Sequence, residues 1–250
     1  MRARIAAVFP RGPADFVLQL GIWLGFVLAY QVARGVADRD TGQAFANGQW
    51  IIDLQRSTSS LVEIELQRVV LAAGGFLLDA LNWTYWLSQF AVIGVALIWI
   101  YFFRTEAFAG VRNWLIAANL IGLLGYVLVP TAPPRMFPGE GFVDTLAYSA
   151  SLNHGSGLVE LASNPYAAMP SLHGADALIV GLAMATLVRS WPMKAVWLLW
   201  PAWVWFAVMA TGNHFWLDIA AGIAVAGLAY ALLAWAGRRR DVPRPALSGS

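Results

Sequence analysis

Six long apolar runs leave this chain few ways to fold. They cover residues 16–33, 85–103, 114–129, 171–188, 195–211 and 215–236. A membrane helix needs roughly 20 apolar residues. In lipid every backbone N–H and C=O must be satisfied within the spanning structure, and runs of this length do so as helices. Of the 250 residues, 59% are hydrophobic and 12% are charged, against about 25% charged in a soluble domain. The expectation is one all-α membrane domain over 1–250, an integral bundle of six transmembrane helices.

Other classes fall away on composition. Cysteine is absent, which excludes a disulfide framework, a thiol nucleophile and a Cys-ligated metal. There is no basic stripe with interleaved aromatics, so nucleic acid is not an expected partner. The first apolar run has full span length and no small-residue cleavage site, unlike a signal peptide. The 13 Trp residues suit an interfacial belt and packing. Arg outnumbers Lys 15 to 1, a bias that points to a GC-rich bacterial genome.

Charge placement orients the bundle. With both termini cytoplasmic, 11 Lys and Arg fall in the inner segments and 5 in the longer outer ones, as the positive-inside rule requires. Arg135, His173 and His214 then share the outer face of the cell membrane. None of them decided the orientation, so their convergence is separate support for one site there.

Two outer segments are long. Residues 42–83 carry an apolar stretch, 61–81, broken by Glu63, Glu65, Gln67, Arg68 and Asp79. This pattern predicts an amphipathic helix at the interface rather than a span. Residues 135–169 are rich in Gly, Ser, Asn and Pro, and a loop that long predicts a cap over a site. His154 in it reads as a solvated side chain. The tail over 238–250 is basic and reads as disordered.

Polar residues at the mouths of the spans carry the chemistry. His214 and Asp218 are four apart at a helix start and share a face. A carboxylate on one imidazole nitrogen fixes the tautomer and leaves the other nitrogen as a nucleophile. His173 follows Pro170 and Ser171, which suit a first helical turn and its cap. Backbone N–H groups there can hold a phosphate, and a His among them can protonate a leaving oxygen. Arg135, after Pro133-Pro134, can clamp phosphate oxygens. Asp176 lies inside the fourth run, where an ionisable group usually has a role. It could pair with an Arg, orient His173 or bind a substrate hydroxyl. Asn213 and Asn119 are further polar candidates. Each residue also has a plain reading, as a capped span, a headgroup-facing Arg or an interfacial polar pair.

Taken in order, Pro130-Thr131-Ala132-Pro133-Pro134-Arg135, Met169-Pro170-Ser171-Leu172-His173 and Asn213-His214 through Asp218 resemble the three motifs of the type-2 phosphatidic acid phosphatase superfamily. This is the lipid phosphate phosphatase and phosphotransferase family. The chain looks closest to the branch with inositol phosphorylceramide synthase, over about residues 85–236, a catalytic core by that likeness. The resemblance implies His214 as nucleophile, Asp218 as its orienting partner and His173 as general acid. Arg135 and the backbone around Ser171 would hold the phosphate, and no metal cofactor is required. The partners it implies are a phospholipid or a polyprenyl phosphate or diphosphate.

The chain departs from the motifs at four positions. Leu128 stands where the first motif has Lys, and Met136 where Pro is usual. Leu172 replaces a Gly, and Val208 takes the place of the third motif's Arg. A cradle short of positive charge favours a phosphodiester, with one negative charge, over a monoester with nearly two. That leans toward headgroup transfer. The rival readings are a metal-dependent hydrolase with His173, His214 and Asp218 as ligands, and a non-catalytic membrane protein.

Overall fold

The computed structural model describes residues 9–37, 40–147 and 166–240. His154 and the tail beyond 240 lie outside the described residues. The helices are α1 (Pro13–Ala37), α2 (Thr41–Ser57), α3 (Glu63–Ala73), α4 (Gly75–Phe103), α5 (Thr105–Leu128), α6 (Leu172–Leu187), α7 (Trp191–Ala210) and α8 (Trp216–Arg240). A π-helical turn at Ser88–Val92 interrupts α4. The described residues contain no strand, only an isolated parallel bridge between Thr131 and Ala167.

Among the described residues five helices, α1, α4, α5, α7 and α8, are long and apolar enough to cross a membrane. The fourth expected span, α6, has 16 residues. At 1.5 Å per residue it is about 24 Å long, short of the ~30 Å hydrocarbon layer. It is also the most enclosed helix, packed by α5, α7 and α8. Lipid tails are as apolar as Leu, so helices in a bilayer gain most from close backbone packing at small residues. Gly222 of α8 shows this directly. A Cβ there would sit 2.2 Å from the Ser171 carbonyl oxygen at the mouth of α6. The outward faces are apolar, with Leu124 of α5, Leu199 of α7 and Leu228 of α8 all exposed. The protein is a membrane protein.

Several boundaries differ from the sequence reading. The apolar stretch 61–81 is not one helix. It breaks at Gly74, whose φ of +99° only glycine adopts without strain. Its second half joins the next span, which begins at Gly75 rather than near residue 85. The third begins at Thr105 rather than near 114, because Arg112 and Asn113 are accommodated in its polar first turns. Arg238–Arg240, read as the start of a disordered tail, continue α8 as helix. Arg is a good helix former, and positive charge is favourable at a helix C-terminus.

Helices α2 and α3 lie over the loops at the site end. The Ala132 N–H donates to the Ala44 carbonyl at 2.9 Å. Asn47 Nδ2 donates to the Pro130 carbonyl at 2.7 Å. Gln67 Nε2 donates to the Val143 carbonyl at 2.8 Å, and Gln67 Oε1 accepts from the Val143 N–H at 3.0 Å. A side-chain amide thus replaces the strand partner that the loop backbone lacks, which satisfies a buried polar segment.

Candidate active site

The mouth of α5 is the hub. After Pro130 the chain is extended, and Thr131 exchanges backbone hydrogen bonds with Tyr166 and Ala168. Four residues on, the Arg135 N–H donates to the Gly212 carbonyl at 2.8 Å. Gly212 has φ +74° and turns the chain out of α7, and the His214 N–H then returns to the Val208 carbonyl at 3.1 Å. The Ser171 N–H donates to the Asp218 carbonyl at 2.8 Å. Backbone bonds alone therefore bring the three motifs into one place.

The two imidazoles meet there. The His214 ring nitrogen Nδ1 lies 3.0 Å from the Ala168 carbonyl oxygen and 3.4 Å from Asp218 Oδ2. A carbonyl only accepts, so Nδ1 carries the hydrogen. His214 Nε2 faces His173 Nδ1 at 3.4 Å. Burial, and after it the Arg135 charge, push the His214 pKa down to about 3 against the pull of Ala168. The ring is neutral near pH 7, with its lone pair on Nε2. His173 Nδ1 then carries the hydrogen between the rings. Tyr85 of α4 stacks on the His173 ring at 4.4 Å between centroids and 20° between planes.

The other site candidates separate into two groups. Arg135 Nη1 donates to Asn213 Oδ1 at 2.8 Å, and Asn213 Nδ2 donates to Thr211 Oγ1 at 2.8 Å. Arg135 Nε lies 4.0 Å from Asp144 Oδ2. Asn213 therefore fixes the guanidinium. Ser171 caps α6, its Oγ accepting from the Gly174 N–H at 3.1 Å, and so sets the direction of the turn that holds His173. Asp176 is apart from these. It accepts from Asn119 Nδ2 of α5 at 2.8 Å, inside the bundle. Among the described residues no three His, Cys, Asp or Glu side chains are gathered as a metal site would need.

The motif departures have local explanations. Leu128 is 77% exposed, so its position faces away from the site. Leu172 fills the space over Gly122 of α5, where a Cβ would come 2.5 Å from Leu172 Cδ2. The glycine absent from the second motif is thus supplied by the facing helix. Val208 is fully buried, and its carbonyl receives the N–H groups of both Asn213 and His214.

Sequence reasoning missed the support for this centre. Ala168 acts through its backbone, which no residue type announces. Tyr85 sits in an aromatic cluster that reads as interfacial belt. Glu63 is fully buried, and its Oε1 accepts from the Trp216 N–H at 2.7 Å and from Gln55 Nε2 at 2.9 Å. Its signal was an acid opening an apolar helix, but its partner lies 153 residues away.

The family model of the PAP2 superfamily matches residues 49–232. No curated protein and no solved structure matches the chain.

Proposed function

We propose, from the premise that this chain belongs to the PAP2 superfamily, that its phosphatase-type activity runs through a phosphohistidine on His214. A lipid phosphate as substrate is consistent with that family. The observation that carries the mechanism is the His214 ring. Its Nδ1–H is held by Ala168 and its Nε2 is turned to His173. An imidazole so held is an aimed, uncharged nucleophile.

In the proposed reaction His214 Nε2 attacks phosphorus and forms an N–P bond as the ester P–O bond breaks. His173 enters this step as its imidazolium, gives a proton to the leaving oxygen and becomes neutral. The ring of His214 gains positive charge, which Asp218 Oδ2 balances from 3.4 Å. Arg135, braced by Asn213, meets the phosphoryl oxygens. A hydroxyl then attacks phosphorus, the N–P bond breaks, and His173 recovers its proton from that hydroxyl. Water as acceptor makes a phosphatase, and an alcohol makes a headgroup transferase of the inositol phosphorylceramide synthase kind. With the buried Val208 in place of a basic motif residue, the cradle suits the single charge of a diester donor. We place the site on the extracytoplasmic side of the cell membrane, with α6 as the sixth span and α2–α3 at the interface.

The test is a liposome assay of the purified protein with chelator present. Wild type and His214→Ala are compared for phosphate release from phosphatidic acid and polyprenyl diphosphate. Headgroup transfer from phosphatidylinositol is followed in parallel. Transfer that depends on His214 supports the diester reading, and release alone makes the protein a phosphatase. Activity that persists in His214→Ala rejects the phosphohistidine.

A further inference from the structure

Two carboxyl groups meet at the buried start of α8. Asp218 Oδ2 accepts from the Phe215 N–H at 2.8 Å, as the third residue of a helix reaches back to its cap. Glu63 Oε1 accepts from the next N–H, that of Trp216. Both residues are fully buried. Each has a second oxygen, Glu63 Oε2 and Asp218 Oδ1, that is buried without a donor, and so is the Oε1 of Gln55. Two negative charges on adjacent N–H groups of one dry helix end oppose each other. Three buried acceptors without a donor are also costly.

We propose that Glu63 is a positioning residue for His214, held as its neutral acid against the Trp216 N–H, so that the two carboxyl groups do not both carry charge at this helix end. The inference rests on the proposed role of His214 as nucleophile. A proton on Glu63 removes the opposing charge and turns one acceptor into a donor. The groups that face Glu63 are Gln55 of α2 and the Trp216 N–H and Asp218 of α8. Burial is the main cause that raises its pKa above the ordinary carboxylate value, against the hydrogen bonds from Gln55 and Trp216. Trp216 Nε1 also donates to the Ser60 carbonyl at 3.0 Å, which ties the turn before α3 to the start of α8. Glu63 thereby couples the outer helices to the residue beside the nucleophile.

The experiment uses the full-length protein in liposomes at pH 7 and compares wild type, Glu63→Gln and Glu63→Ala. Gln keeps an acceptor for Trp216 and carries no charge. It should hold kcat within about twofold. Ala should lower kcat about tenfold or more with KM nearly unchanged, the size expected when a reacting group is displaced. Equal loss in both variants, or a change in KM alone, overturns the proposal. Infrared difference spectra of wild type against Glu63→Gln give a second readout that needs no Ala variant. A protonated-carboxyl band present in wild type and absent in the variant supports the neutral acid, and a carboxylate band in its place rejects it. If wild type forms no phosphohistidine at all, the reading of His214 fails, and the infrared result still decides the state of Glu63.

Discussion

Two helical regions precede the motifs, and they are attached in opposite ways. The hydropathic window of α1 that could span a membrane has no buried residue. Its half-buried Phe16 and Trp23 pack against the bundle core, and polar bonds fasten its first turns. Tyr101 donates to Asp15 at 2.9 Å, and Arg112 bonds to Gln19. Helices α2 and α3 are more polar yet more enclosed, with Ile51, Ile52 and Val70 in their cores. The amide side chains of Asn47 and Gln67 reach the loop backbone at Pro130 and Val143, and Gln55 ties α2 to Glu63 of α3. An apolar helix in lipid has no hydrophobic reason to dock. Buried irregular loop backbone must find hydrogen-bond partners. The family match begins at residue 49, inside α2, and so leaves out α1.

The comparison predicts that α2–α3 are coupled to activity and α1 is not. His214→Ala sets the floor and should reduce turnover by at least about a thousandfold, as loss of a nucleophile does; an acid-labile phosphoenzyme present in wild type and missing in this variant would confirm the cause. Asn213→Ala comes next. It frees Arg135, and a loss of about 10- to 100-fold in kcat/KM is expected in the liposome assay. Gln67→Ala removes both bonds to Val143 and should cost about 2 kcal/mol, seen as a lower denaturation midpoint together with weaker activity. Full activity in Gln67→Ala would break the comparison. Tyr101→Phe should leave turnover within about twofold, and a larger loss would mean that α1 does reach the site.

Acidity sharpens the same contrast. The His214 pKa is held at about 3, below its ordinary 6.5. Above pH 6.5 the folded and unfolded chains bind the same number of protons here. Below it only the unfolded chain gains one, so this contribution to stability is lost as pH falls from 6.5 toward 3. Hydrogen exchange should quicken around residues 211–218 over that window while α1 changes little. The acid limb of kcat/KM should likewise lie well under 6.5 for wild type.

Much of the bundle was legible in the chain. Apolar length located the helices, because lipid leaves the backbone few alternatives. The sequence also named His173, His214, Asp218 and Arg135 as candidates, because few side chains can do phosphoryl chemistry, and the fold brings them together. Boundaries were less so. Gly74 divides a stretch whose average composition hides it, and α6 is helical but short, running from its Ser171 cap to an extended Val188. The role of Asp176 was left open by its sequence and depends on Asn119 across the bundle.

The sequence by itself determined an all-helical membrane protein with three polar motifs at span ends, because hydropathy and residue chemistry are local properties. Only the tertiary structure decided what surrounds those motifs. It set a carbonyl from Ala168 nearer to His214 than its expected carboxylate. It placed Gly122 opposite Leu172, and it put Glu63 at the start of a helix 153 residues away. Such contacts join distant parts of the chain through backbone atoms and shape, which no local pattern of residues records.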